Sequence, residues 1–172
     1  PACALGGKVY AFEPDPYSYT ILESNLTLNG YDAQCVVIPK ALWSKGGLMS
    51  IAEMPLSLAL PTGHPLHKAT IPATTIDDYV QANGISRLDW LKMDIEGGEL
   101  EVLKGGVRVI SQFKPSILVE RHDMHPHLQE WIKPRRVYEH ILGRLIGGGY
   151  TVQDISFKNR SYLIALRPSE AR

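Results

Sequence analysis

Glu13, Asp94, Glu96, Glu120 and His122 are the side chains of this 172-residue sequence whose types and positions suit chemistry. Asp94 and Glu96 alternate in Leu91-Lys92-Met93-Asp94-Ile95-Glu96-Gly97-Gly98, where a short apolar run gives out. Residues 88–93 read as a buried strand. After the glycine pair, Leu100, Leu103, Val107 and Ile110 recur at helical spacing, which predicts one helix reaching Ile110. A strand that ends in carboxylates and turns through glycines into a helix is a βα junction. Open α/β sheets bind ligands outside the carboxyl ends of their strands. A helix cap needs one acidic group. Two at alternate positions point instead to a ligand to be positioned or a proton to be taken.

Glu13 stands in the same relation to an earlier strand. Lys8-Val9-Tyr10-Ala11-Phe12, entered through Gly6-Gly7, ends at Glu13 and is followed by Pro14-Asp15-Pro16. Asp15 is placed to cap a helix whose first residue is Pro16, where a missing N–H is no loss. Tyr17, Ile21, Leu22, Leu26 and Leu28 are expected on the buried side of that helix, and Asn29-Gly30 stops it. In nucleoside-binding α/β proteins, an acid in this place accepts hydrogen bonds from ribose hydroxyls. A carboxylate suits a diol because it only accepts and can take both O–H groups.

A third carboxylate, Glu120, closes the apolar run Ser116-Ile117-Leu118-Val119 that Pro115 introduces. Arg121-His122-Asp123-Met124-His125-Pro126-His127 follows. Its three histidines, with Asp123 or Glu120, compose a conceivable transition-metal set. The segment reads as a loop without zincin spacing, however, and histidines at a site mouth often act as acid–base groups. No metal is therefore expected, and His122 stands as a candidate for moving the proton.

The remaining elements are those that must carry these groups. Residues 34–38 form a strand leading to Ala41-Leu42-Trp43, and residues 48–52 a further short strand, hairpin-paired through Lys45-Gly46-Gly47. Residues 53–68, with Pro55, Pro61 and Pro65, read as a long loop of the kind that forms lids. Thr75-Ile76-Asp77-Asp78 opens a short helix with Thr75 as its cap, and Asn83-Gly84 ends it. Pro134 opens a last helix carrying Val137, Ile141 and Leu145 and ended by Gly147-Gly148-Gly149. Residues 150–155 and 161–166 read as a terminal hairpin.

The composition narrows the class. The length suits one domain, residues 1–172, with a real core. Eighteen basic residues balance 18 acidic ones, so charge directs the chain to neither nucleic acid nor an anionic membrane. No apolar run approaches the ~20 residues a spanning helix needs. Cys3 and Cys35 are too few for a disulfide framework, and a reducing, cytoplasmic setting is expected. A homo-oligomer is left open.

Val9-Tyr10-Ala11-Phe12-Glu13-Pro14-Asp15-Pro16, Thr75-Ile76-Asp77-Asp78 and Lys92-Met93-Asp94-Ile95-Glu96-Gly97-Gly98-Glu99-Leu100-Glu101-Val102-Leu103-Lys104-Gly105 occur here in that order. In this the chain resembles the FkbM-type S-adenosylmethionine-dependent methyltransferases, from about Gly6 to about Glu120. The resemblance implies an α/β, Rossmann-like methyltransferase sheet, mostly parallel with a C-terminal antiparallel hairpin and flanked by helices. It implies S-adenosylmethionine as cofactor and methyl transfer to an oxygen of a small molecule, a sugar or a polyketide. It places Glu13 on the ribose, Ala41, Leu42 and Trp43 beside the adenine, and Asp94 and Glu96 at the methionyl end facing the substrate. Glu120 falls near the substrate too. Asp94 is expected to position, and Glu96 or His122 to take the proton.

The resemblance also implies a first strand and glycine-rich loop ahead of Pro1, in the middle of the sheet between the strands ending at Glu13 and Met93. Read this way, the chain is expected to be truncated at its N-terminus, its two neighbouring strands facing a gap of about 9–10 Å, twice the usual spacing. The sheet would then close up or take a strand from elsewhere. The alternative expectation is an inactive remnant that keeps the fold as a binding module.

Overall fold

A computed structural model describes residues 2–51, 69–95, 97–121, 140, 143–144, 147–157 and 160–167. The strands are β1 (Val9–Phe12), β2 (Cys35–Ile38), β3 (Ala41–Leu42), β4 (Gly47–Ser50), β5 (Thr70–Thr74), β6 (Trp90–Met93), β7 (Ser116–Arg121), β8 (Thr151–Phe157) and β9 (Arg160–Leu166). The helices used below are α1 (Pro16–Leu28), α2 (Ile76–Ala82), α3 (Glu99–Lys104) and α4 (Val107–Phe113).

The strands form three ladders: β1-β2, β3-β5-β4 and β6-β7-β9-β8. β1 runs parallel to β2 and β6 parallel to β7, while β9 joins β7 and β8 antiparallel, as a hairpin returning on a parallel sheet must. The main core lies under the last ladder. Met93, Ile117, Val119, Leu163 and Ala165 meet Val102, Leu103 and Val109 of the helices, together with Ile76 and Tyr150. Ala41, Met49, Ile51, Ile71 and Ala73 form a second, smaller core.

Helix starts follow local chemistry. Asp15 caps α1, accepting the Ser18 N–H at 2.9 Å and the Ser18 hydroxyl at 2.7 Å, with Pro16 in the first turn. Thr75 caps α2 by accepting the Asp78 N–H at 2.9 Å. Gly30 and Gly84, just past the two helices, take φ of +69° and +59°, the left-handed turn that glycine tolerates best.

Several expectations are corrected. Residues 47–50 do not form a hairpin with the strand at Ala41-Leu42. β4 pairs with β5, which lies between β3 and β4. β5 contains Pro72, a residue that sheets admit only where its nitrogen faces no partner strand. The Ile51 N–H donates to the Ala69 carbonyl, so Ile71 and Ala73 are the hydrogen-bonding positions toward β4. Pro72 then turns its nitrogen away from β4, on a stretch that β3 does not reach, and no ladder bond is lost.

The helix after Gly98 is two helices, α3 and α4, broken at Gly105-Gly106. None of the residues of α1 is buried. At 100° per residue, Tyr17, Ile21 and Leu28 lie on one stripe and Leu22 and Leu26 on another, about 140° away. Only one stripe can face a sheet; Leu22 and Leu26 are half-buried, whereas Tyr17, Ile21 and Leu28 are exposed. Glu120 lies within β7 rather than at its tip, level with Tyr162 of β9.

No described strand occupies the expected central position. Val9 and Glu13 donate to Gln34 and Ile38 of the neighbouring strand, so the backbone groups of Tyr10 and Phe12 point the other way. Ser116 donates to Asp89, so those of Trp90 and Lys92 likewise point away from β7. Among the described residues no strand pairs with either edge, and β1 and β6 have not closed onto each other. No helix among the described residues is long and apolar enough to cross a membrane.

Asp15→Ala removes both capping bonds at once. It is expected to lower unfolding free energy in urea by about 0.5–2 kcal/mol; an unchanged midpoint would show that the cap is not holding α1.

Candidate active site

β6 ends at Met93, whose register partner on β7 is Val119, so the next residue, Asp94, comes level with Glu120 on a neighbouring parallel strand. Strands so paired lie about 4.8 Å apart. Two of the predicted acids are thereby brought together. They differ in surroundings: Glu120 is buried at 7% exposure, whereas Asp94 reaches solvent and lies 3.1 Å from Lys92 Nζ in an exposed ion pair worth little on its own. Glu96, His122, the histidine loop 122–127 and the loop 53–68 lie outside the described residues.

The turn beyond Asp94 is held by a residue that sequence reasoning passed over. Gly97 takes φ +100°, and its N–H donates to Glu99 Oε1 at 3.2 Å. Glu99 is fully buried. A carboxylate so placed needs hydrogen bonds, and the Gly97 amide is one of them. The available signal was position: a glutamate opening a helix can reach back to amides just before it.

The segment after β3 is what closes over this turn. The Trp43 N–H donates to the Thr74 carbonyl at 2.9 Å, extending the β3–β5 ladder. Its ring lies against Gly98, where a Cβ would stand 2.8 Å from the indole, and its carbonyl lies against Gly105, where a Cβ would collide with the oxygen. Between them, Glu101 accepts hydrogen bonds from Ser44 and Lys104. Burial pushes the Glu101 carboxyl up, but those bonds, the nearby Lys104 charge and more distant Arg144 outweigh it, so it titrates below the ordinary 4.5. Gly98, Glu101 and Gly105 fall at i, i+3 and i+7, one face of a helix. Trp43 and Ser44 lie along that face. Ala41 and Leu42 hold this segment from the ladder side, Ala41 buried and Leu42 packed against the main core.

Glu13 sits at the end of β1, half-buried, its Oε1 accepting the Asp15 N–H at 2.9 Å. Its other oxygen makes no hydrogen bond among the described residues, which leaves an acceptor of the kind a diol needs. Burial raises its pKa above 4.5; the Asp15 amide pulls it down and the Asp15 charge adds to the rise. The β1 strand touches Tyr79 of α2, whose ring meets Phe12 edge-on at 4.8 Å and Tyr10 at 5.9 Å.

The family described as the methyltransferase FkbM domain matches residues 1–150. The chain belongs to the FkbM methyltransferase family. The hexuronic acid methyltransferase AglP of Haloferax volcanii is 30% identical over 128 residues, covering 70% of this chain and 49% of the relative. Methyltransferase sdnD of Sordaria araneosa is 27% identical over 131 residues, covering 57% of this chain and 51% of the relative. A crystal structure of methyltransferase FkbM from Methylobacillus flagellatus shares the fold, with a TM-score of 0.62 at 20% identity over 92% of this chain and 36% of that one. The FkbM chain described here thus spans about half the length of the curated relatives it matches.

Two substitutions read out the site's electrostatics. Glu13 has a raised folded pKa, so its ionised form costs the fold stability as pH climbs past 4.5. Glu13→Gln is therefore expected to raise the urea midpoint slightly at pH 7 and to have no such effect at pH values below the unfolded pKa. Glu101 has the opposite sign, a depressed folded pKa. Its contribution is present above 4.5 and lost on acidification through the folded value, so Glu101→Gln should destabilise at pH 7 and be neutral in acid. The same sign for both variants would contradict these environments.

Proposed function

We propose that this chain forms one methyltransferase domain, residues 1–172, that uses S-adenosylmethionine to methylate a hydroxyl of a small molecule, a sugar or a polyketide. The observation that carries the reading is the seating of Trp43 on Gly98, which sets the end of β3 against the turn that follows Asp94. One side of a nucleoside site and the acidic strand tip then belong to a single rigid arrangement. The hexuronic acid substrate in the printed name of the Haloferax relative favours a sugar acid or a related polyol as acceptor.

The residues fit the cofactor in kind. Glu13, with a spare acceptor oxygen in a half-buried setting, would hold the ribose hydroxyls. Ala41, Leu42 and Trp43 would flank the adenine, and Asp94 would hold the methionyl end. When bound, S-adenosylmethionine supplies an electrophilic methyl on a sulfonium. The work left to the protein is alignment of the acceptor oxygen in line with that carbon, together with removal of its proton. Glu96 or His122 would take the proton from the acceptor hydroxyl. Glu120, level with Asp94 and buried, would stand near the substrate.

A second reading, a methyltransferase fold kept as a binding module, is favoured by the edges of β1 and β6, with which no described strand pairs. Turnover separates the two. Methyl transfer from labelled S-adenosylmethionine to hexuronate-bearing glycans is expected for the unaltered chain. Asp94→Asn or Glu96→Gln should lower it by about 100-fold or more. Loss of neither would end the catalytic assignment, and absence of transfer in the unaltered chain would favour the binding module.

A further inference from the structure

Asp77 performs a task that neither the sequence pattern nor the acidic turn announces. It stands second in α2, yet its carboxylate serves another helix. Oδ1 accepts the Val109 N–H at 2.9 Å and Oδ2 the Arg108 N–H at 3.1 Å, with Arg108 Nε at 3.3 Å. These are first-turn amides of α4, whose own N-cap, Gly106, has no side chain to offer. The Asp77 N–H in turn donates to the Gly105 carbonyl at 3.0 Å. Beside it, the Ile76 side chain lies against Gly106, where a Cβ would stand 2.9 Å from it. Asp77 therefore holds the α3–α4 link from both sides: the carbonyl leaving α3 and the amides entering α4.

Gly105 is also the residue on which the Trp43 carbonyl rests, and Gly98, seven residues earlier, receives the Trp43 ring. The intervening α3 is one short helix, anchored in the core by fully or nearly fully buried Glu99, Val102 and Leu103. Over such a helix, fixing one end fixes the other, about 10 Å away at 1.5 Å per residue. We infer that Asp77 is a positioning residue for the acidic turn. By clamping Gly105-Gly106 it sets where Gly98, and with it Gly97 and Asp94, lies beneath Trp43. The exposed Arg108 ion pair is incidental, since such pairs contribute little. As a role for the site this rests on the proposed function; as a statement about Trp43 and Gly98 it stands apart from it.

The test follows the indole N–H resonance of Trp43 in the full chain labelled with 15N-tryptophan, assigned by its loss in Trp43→Phe. Asp77→Ala and the near-isosteric Asp77→Asn, which swaps one acceptor oxygen for an amide, are expected to move the Trp43 resonance. The movement should be toward the position produced by Gly98→Ala, with Trp90 unmoved. Arg108→Gln should leave Trp43 in place. Should Asp77→Asn fold and lower the thermal midpoint with Trp43 unchanged, Asp77 would be a local cap only and the inference overturned. Arg108→Gln reproducing the shift would overturn it equally. Titration of the same variants with S-adenosylmethionine adds the link to function: Asp77→Asn should weaken binding about tenfold. Absence of binding by the unaltered chain would count against the proposed function alone, because the resonance arm needs no ligand.

Discussion

Trp43 can lie along α3 only because positions 98 and 105 carry no Cβ. A methyl at either place would push the indole or its carbonyl away, and with it the end of β3 from the turn after β6. In a close-packed interior such a displacement is not absorbed locally. The Trp43–Ser44 segment is fastened at the ring by Gly98, at the hydroxyl by Glu101 and at the carbonyl by Gly105, with the Thr74 carbonyl behind it. The placement of Asp94 relative to anything bound against β3 depends on this seam.

The rest of the architecture divides around it. On one side lie β6, β7 and the terminal hairpin, a well-packed ladder whose buried faces make the main core. On the other lies the β1–β2 pair with Glu13, tied in through the edge-on stack of Tyr10 and Phe12 on Tyr79. α2 is the shared element: its Tyr79 reaches β1, its Asp77 reaches the α3–α4 link, and the residue before its cap, Thr74, binds Trp43. Two strand edges, those of β1 and β6, pair neither with each other nor with another described strand. Open edges offer unpaired backbone donors and acceptors, and the exposed Trp90 and the exposed stripe of α1 add apolar surface.

Much of the fold was legible in the sequence because its punctuation is explicit. Asp15-Pro16 and Thr75 open helices with the capping bonds their types suggest, and Asn29-Gly30 and Asn83-Gly84 close them. The alternation of short apolar runs with carboxylates gave β1, β6 and β7 their ends to within a residue or two. What could not be read were relations between segments distant in sequence. The β5 strand hid behind Pro72, because whether a proline spoils a strand depends on which side its nitrogen faces. The break at Gly105-Gly106 hid inside a continuous helical repeat of leucine, valine and isoleucine. The seam itself was invisible for a related reason. A stripe of Gly98, Glu101 and Gly105 has no hydrophobicity to show a periodic pattern, so nothing in it signals a packing face. Glu99 was passed over in the same way, since acids early in a helix are ordinarily solvent-facing. Its complete burial is a tertiary fact.

The most direct test of the proposed cofactor site is to titrate S-adenosylmethionine into the isotopically labelled chain while following its backbone amide and tryptophan indole resonances. A saturable response concentrated at Glu13, at Trp43 and at the Asp94–Gly98 turn is the outcome that site requires. Saturable shifts confined to other elements, or none in these three places, would contradict it.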